Sequence, residues 1–418
     1  MPTRRQFIKR SAGMVTMSLV MPRTLLGGVR SPALAADPNR KILVVIQFQG
    51  GNDGLNTVIP YTNDRYHSLR PTLSFKEAAL KDAQGRSTII SNEFGLHPSL
   101  SKVKDLYDQN KVAIVLGVGY PKPSDSHFTS SDIWHTANLD ARGQGWLGKY
   151  ADLALSGQGD LPLVSSTFVS PKSISANKVV PVNLTSFSVP NYAFQTDPQF
   201  TASRAAQIAL LNANNRRSFP EGGFLNTIGR VGISALRDAD QIKLAVDNYR
   251  SPVVYPQNFF AANLQLLVKI IAEVPEVSLV YVTFFDFDHH AEQADQHRNV
   301  LTLFSEGVRA FYDDLAAHGL ADNVVMLQWS EFGRRPNENG SRGTDHGAAS
   351  SIFVIGNAVR GGLYGQQPSL AATDLDEVGN MKFTVDFRSV YATVLDKWLG
   401  GDSQAVLGSR FENLGFLG

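Results

Sequence analysis

Four stretches of this 418-residue chain gather carboxylates, imidazoles and hydroxyls directly behind runs that read as buried strands. Asn52 and Asp53 follow the run 41–49 in GGNDGLN. Asp125, Ser126, His127 and His135 follow 111–119 in YPKPSDSHFTSSDIWHTA. Asp286, Asp288, His289, His290 and His297 follow 277–285 in DFDHHAEQADQH. Glu331, Arg334 and Arg335 follow 323–330, on a connector that runs through Glu338 and Arg342 to Asp345 and His346. Alone, each has an ordinary explanation: Asp-Gly makes turns, and a serine ahead of a helix is an N-cap. Together they point to one site, because ligands of open α/β sheets sit at the carboxyl ends of the strands. Independent turns have no reason to deliver carboxylate, imidazole and hydroxyl to one edge.

The residue types define a chemistry. The chain has no cysteine, which excludes disulfides and thiolate metal sites. Several Asp and His residues make an oxygen and nitrogen site suited to Zn²⁺, Mn²⁺, Mg²⁺ or Ca²⁺. Ser126 at a helix start places its Oγ near the positive end of the helix dipole, where phosphate or sulfate binds. Coordination to a metal lowers the pKa of a hydroxyl and activates it as a nucleophile. Arg334 or Arg335 supplies a guanidinium fork that matches phosphate or sulfate oxygens.

The elements that must position these groups can be read from periodicity. The runs 41–49, 111–119, 161–169, 277–285, 323–330 and 350–356 are continuously apolar or nearly so, as in strands buried on both faces. Between them, 97–110 carries helical spacing. Leu301, Phe304, Val308, Phe311 and Leu315 step by three and four, with Gly319 at a C-cap position. A last helix covers 387–400. Strands alternating with helices predict an α/β fold with a mostly parallel central sheet flanked by helices. The Ser-, Asn- and Pro-rich stretch around 171–260 reads as a mainly helical insertion or cap. With no repeat and no low-complexity linker, 36–418 reads as a single domain.

Residues 1–35 read as an address, not as fold. Arg4 and Arg5 in TRRQFIK precede a short apolar run and the small residues ALA at 33–35, the layout of a twin-arginine export signal. That run is too short for a permanent membrane span, and no other stretch is long enough. The expected partner is the twin-arginine export machinery, and the expected location is periplasmic or secreted. Removing 1–35 deletes six basic residues and no acidic one, taking the formal charge from +1 to −5. An acidic mature chain has no electrostatic footprint for nucleic acid.

The motifs GGND (50–53), LHP (96–98), SHF (126–128) with Trp134, FDHHAEQ (287–293), SEFGR (330–334) and NGSRGTDHG (339–347) resemble one exported bacterial group. This is domain-of-unknown-function family 1501, placed in the alkaline phosphatase and sulfatase superfamily. The resemblance covers nearly all of 36–418. It implies an alkaline phosphatase-like fold and a metal-assisted ester hydrolase ancestry, without naming a substrate. It also implies Ser126 as nucleophile behind Asp125, and Asp286 or Asp288 with His289 or His290 on one metal. Glu331 falls in the carboxylate place of a second metal, and His346 is the last ligand, just ahead of an edge strand.

Two departures stand out. The first strand has no Asp at its tip, so Asp53 serves only if the turn reaches back. Phe332 stands where the resemblance places a His. One metal, or a hard second metal such as Mg²⁺ or Ca²⁺, fits this better than two zinc ions.

The resulting expectation is a metal-dependent hydrolase of phosphate or sulfate esters, small-molecule or polymeric. Ser126 is the nucleophile, Asp53, Asp288, His290, Glu331 and His346 are ligands, and Arg334 stabilises the oxyanion. A formylglycine route is not expected, because SHFTS carries no Cys/Ser-x-Pro-x-Arg signature. The alternative is a non-catalytic binding or structural protein on a degenerate phosphatase-like fold. A redox protein is weakly represented, since there is no cysteine and no GxGxxG opening a helix behind a strand.

Overall fold

The computed structural model describes residues 37–418 except 38, 160, 185–241 and 243. The expected export signal (1–35) and most of the expected helical insertion lie outside the described residues. The flanks of that insertion contain a short strand at 182–184 and a helical stretch at 244–248.

The apolar runs become a nine-stranded sheet. Its strands are β1 (Ile42–Phe48), β2 (Val112–Gly119), β3 (Leu163–Ser166), β4 (Val182–Leu184), β5 (Leu279–Phe284), β6 (Val324–Ser330), β7 (Ser350–Ile355), β8 (Gly362–Gly365) and β9 (Val385–Asp386). The order is β8-β2-β7-β6-β1-β5-β3-β4, with β9 also pairing β2. Every pairing is parallel except those of β7, which runs antiparallel to both β2 and β6. This mostly parallel sheet flanked by helices bears out the expected fold class. One detail differs. The strand behind His346, expected at an edge, lies inside the sheet between β2 and β6. Its fully apolar Ile352–Ile355 segment needs cover on both sides, which an interior place provides.

Alternation along each strand feeds two cores. Ile42, Val44, Ile46 and Phe48 join Val280, Val282 and Phe284 on one face, beneath helices α3 (Phe259–Glu273) and α4 (Gln293–Ala317). The five residues of the three-and-four ladder, Leu301 to Leu315, are all buried there. Leu43, Val45, Tyr281, Leu327 and Trp329 face the other way, against α2 (His127–Thr136) and α5 (Phe387–Lys397). Trp134 of α2 stacks on Trp329 of β6, with ring centroids 5.1 Å apart and planes 1° from parallel. The smaller α1 (Ser101–Tyr107) precedes β2. Among the described residues, no helix is long and apolar enough to cross a membrane.

The parallel strands β1, β2, β5 and β6 end at one edge of the sheet. Because β7 is reversed, its beginning reaches that same edge. Thus the sheet itself assembles GGND, the start of α2, FDHH, SEF and TDHG.

Candidate metal centre at the carboxyl edge of the sheet

Behind β5 the chain turns sharply. Asp286 adopts a left-handed backbone, φ 73°, and Phe287 drops back to stack on Phe48 at 4.2 Å. This folds Asp288 over the turn that follows β1. Gly50 and Gly51 make the approach possible, with φ of 124° and 80°. A Cβ on Gly50 would lie 2.5 Å from the Asp288 nitrogen, and one on Gly51 would lie 2.3 Å from the Phe332 ring. From the β2 side, α2 opens with Ser126 as its N-cap, which places His127 in the first turn. Ser130 anchors that turn by donating to the Glu331 carbonyl at 2.5 Å.

The connector behind β6 closes on itself. Gly333 N donates to the Ala348 carbonyl, Gly347 N donates to the Gly333 carbonyl, and Arg335 N donates to the Asp345 carbonyl. The bridge pairs Arg334 with His346, so both side chains lie on one face, toward Asp288.

Three imidazoles meet there in a common orientation. His127 Nδ1 lies 2.7 Å from Glu331 Oε1, His290 Nδ1 3.3 Å from Asp345 Oδ1, and His346 Nδ1 2.8 Å from the Asp125 carbonyl. With each Nδ1 on an oxygen acceptor, each Nε2 turns its lone pair inward, toward Asp288. His346 Nε2 and His290 Nε2 are each 3.0 Å from Asp288 Oδ1, and 2.9 Å from one another. His127 Nε2 is 3.5 Å from Asp288 Oδ2. It is buried without a hydrogen-bond partner. Ligand atoms of His127, Asp288 and His346 all lie within 4.8 Å of one another.

Acceptors this close repel unless a proton or a metal cation sits between them. The donor set of imidazole nitrogens and one carboxylate matches a divalent metal. Phe332, expected to be a missing ligand, forms the floor. Its ring centroid is 4.9 Å from that of His127 and 4.6 Å from that of His346.

Charge is organised around the same groups. Burial pushes the Asp288 carboxyl up, but the hydrogen bond and positive charge of Arg334 lead the opposing effects and hold the group well below the usual carboxylate range. His127 is raised, first by its hydrogen bond to Glu331.

The structure thus brings Asp288, His290 and His346 together, and Ser126 stands in the chain between two groups that reach them, the Asp125 carbonyl and the His127 ring. The other expected site residues stand differently. Glu331 is fully buried on the far side of the His127 ring from Asp288. Arg334 is 1% exposed. It donates to the carbonyls of Gly50, Gly51, Phe287 and Thr344 and to Asp288 Oδ1 at 2.6 Å. Buried and engaged through all three nitrogens, the guanidinium is committed to the protein rather than offered to an oxyanion.

Asp53 is taken up elsewhere. It pairs with buried Arg70 at 2.5 Å, accepts from Gln293 Nε2 and caps the turn at Asn56. Burial pushes its carboxyl up, and Arg70 brings it below the usual value. His289 and His297 are buried beside it, and His135 bonds Ser173 at the far end of α2.

Two residues were not assigned to the site by sequence reading. His127 was noted in the cluster behind 111–119 but not counted among the expected ligands, although it directly follows Ser126. Arg70 carried no signal, because it lies in a loop behind no strand and meets its partners only in the fold.

Comparison with known proteins gives a family match over part of the chain and a set of distant likenesses. Residues 239–409 match the family described as Protein of unknown function (DUF1501). This bears out the family resemblance over a stretch that includes FDHHAEQ, SEFGR and NGSRGTDHG.

Similar solved structures include a protein in the alkaline phosphatase superfamily from Vibrio parahaemolyticus, at 8% identity and a TM-score of 0.35, covering 79% of this chain and 62% of that one. The chain therefore spans less than two thirds of that protein. The C-terminal periplasmic domain of EcEptC from Escherichia coli is similar at 8% identity, with 88% and 86% covered and a TM-score of 0.40. Alkaline phosphatase from the Antarctic bacterium TAB5 is similar at 9% identity, with 76% and 92% covered and a TM-score of 0.33. No curated protein matches the chain. The fold assignment therefore stands on strand order and direction.

Proposed function

We propose that this chain is an exported, metal-dependent hydrolase of phosphate or sulfate esters, with His127, Asp288, His290 and His346 as its metal ligands. The observation that carries the reading is the common orientation of three imidazoles. Each Nδ1 is tethered to an oxygen, and each Nε2 faces the Asp288 carboxylate. Three nitrogens and a carboxylate favour Zn²⁺ or Mn²⁺ over Mg²⁺ or Ca²⁺, which prefer all-oxygen sets. Relative to the sequence expectation, the proposal adds His127 and leaves Asp53 and Glu331 out of the ligand set.

His127, Asp288, His290 and His346 would hold a divalent cation, which would supply polarisation of a phosphoryl or sulfuryl oxygen and acidify a neighbouring hydroxyl. The chain's own part is positioning. Ser126 holds its Oγ at the N-terminus of α2, where its bond from Thr129 N is long, 3.5 Å, leaving the oxygen free to act as nucleophile. The N–H groups of the first turn lack intrahelical partners and suit the developing anion. With Arg334 buried, that helix end replaces the expected guanidinium clamp, and Arg334 instead holds Asp288 in place. Export by the twin-arginine route, with cleavage near residue 35, completes the reading.

The test is metal analysis of protein from its native compartment, then an ester panel with Ser126→Ala. We expect about one Zn²⁺ or Mn²⁺ per chain. The variant should lose at least about 10³-fold in kcat with metal affinity unchanged. Unchanged turnover removes Ser126 as nucleophile. Metal without turnover on any phosphate or sulfate ester favours the non-catalytic binding protein.

A further inference from the structure

We infer that Glu331 is a positioning residue of the metal centre, a buried anion that acts on the metal through His127 without touching it. The inference rests on the metal-centre reading above.

Glu331 directly follows β6 and is wholly buried. Its Oε1 accepts from His127 Nδ1 at 2.7 Å and from Gly50 N at 2.8 Å, and its Oε2 accepts from Ser330 Oγ at 3.4 Å. The imidazole stands between the two carboxylates, with Nδ1 toward Glu331 and Nε2 toward Asp288. Glu331 cannot reach the space beside Asp288 without unseating His127 and abandoning the Gly50 N–H.

The three tethers are also unequal. The one on His346 is a neutral carbonyl, and the one on His290 is a half-exposed carboxylate at 3.3 Å. Only Glu331 is both anionic and dry, and its ion-pair partner among the described residues is His127. A carboxylate on the distal nitrogen fixes tautomer and ring angle and makes the metal-facing nitrogen a stronger donor. In a low-dielectric setting that influence is larger than in water. His127 is therefore the ligand through which the protein sets metal affinity, with Glu331 as the source of the effect.

The experiment uses Co²⁺ as probe on the whole chain, stripped of metal by a chelator. It compares wild type with Glu331→Gln and His127→Ala. Gln keeps the size and the acceptor oxygen but loses the charge. We expect Co²⁺ affinity in Glu331→Gln to fall about 10–100-fold, while its ligand-field spectrum at saturation keeps the wild-type bands and intensity. His127→Ala should change the spectrum itself. Affinity within about twofold of wild type, or a spectrum in Glu331→Gln showing a lost ligand, overturns the inference.

A measurement on wild type guards against a variant that fails to fold. With ¹⁵N-histidine labelling and Zn²⁺ bound, His127 should show a protonated Nδ1 and a metal-bound Nε2, and the reverse assignment overturns the inference. Wild type that takes up no Co²⁺ overturns the metal centre as well, which separates the two failures.

Discussion

At the scale of single residues, Asp53 shows how type and place diverge. It is an acid behind the first strand, which is where a ligand is expected, yet its carboxylate is neutralised by Arg70 within the fold. Both side chains are at most 2% exposed. Removing one member of such a pair strands a buried charge and costs roughly 3–5 kcal/mol. Arg70→Ala should therefore lower stability by about that amount, and adding Asp53→Asn should recover part of it. Urea denaturation of the two single variants and the double variant measures this coupling. If Asp53 is not a ligand, metal content of folded Asp53→Asn stays at the wild-type level. A chain that loses its metal in that variant returns Asp53 to the ligand set.

At the scale of elements, the site depends on how closely three loops approach. The turn behind β1 lies against Asp288 on one side and Phe332 on the other, and two glycines permit this. Gly51 combines a φ of 80° with a Cβ position 2.3 Å from the Phe332 ring. Gly51→Ala therefore meets both backbone strain and a steric conflict. The strain alone costs on the order of 1–3 kcal/mol. The displaced ring is the floor under His127 and His346, so metal affinity should drop together with the melting temperature. Calorimetry with and without added Zn²⁺ tests this. A destabilised variant that binds metal normally shows that Phe332 does not support the two imidazoles. The reach of α2 depends likewise on tertiary contacts, because Ser130 ties it to Glu331 and Trp134 to Trp329.

For the molecule as a whole, several histidines away from the proposed ligands are buried in neutral form. Burial, the largest cause in each case, pulls His97 down to about 3 and His135 down to about 4, and His297 also falls well below its ordinary value. Between pH 6.5 and 4 the unfolded chain binds protons at these positions that the folded chain does not. Stability must therefore fall as pH is lowered through that window, and it is fully present above it. His135 alone accounts for a loss on the order of 3 kcal/mol by pH 4. Urea midpoints at pH 7.5, 6.0 and 5.0, measured with chelator present, should decrease in that order. His135→Gln should flatten the trend. Midpoints that stay level across the range contradict the assignment of these groups as neutral.

Much of this was legible in the amino-acid order. Six of the nine sheet strands and the long helix were readable because continuous apolar runs and three-and-four spacing follow directly from local chain geometry. Asp288, His290 and His346 were readable because they sit next to strand ends, which an α/β sheet brings to one edge. Pairings between distant segments were not readable. Nothing local reverses β7 and sets it inside the sheet, joins Arg70 to Asp53, or turns Arg334 onto four carbonyls.

Those outcomes depend on which surfaces remain to be covered once the sheet has formed, and on which buried charge finds a partner. The sequence by itself determined which chemical groups are available. The tertiary structure decided which of them converge on one point and which only hold the others in place.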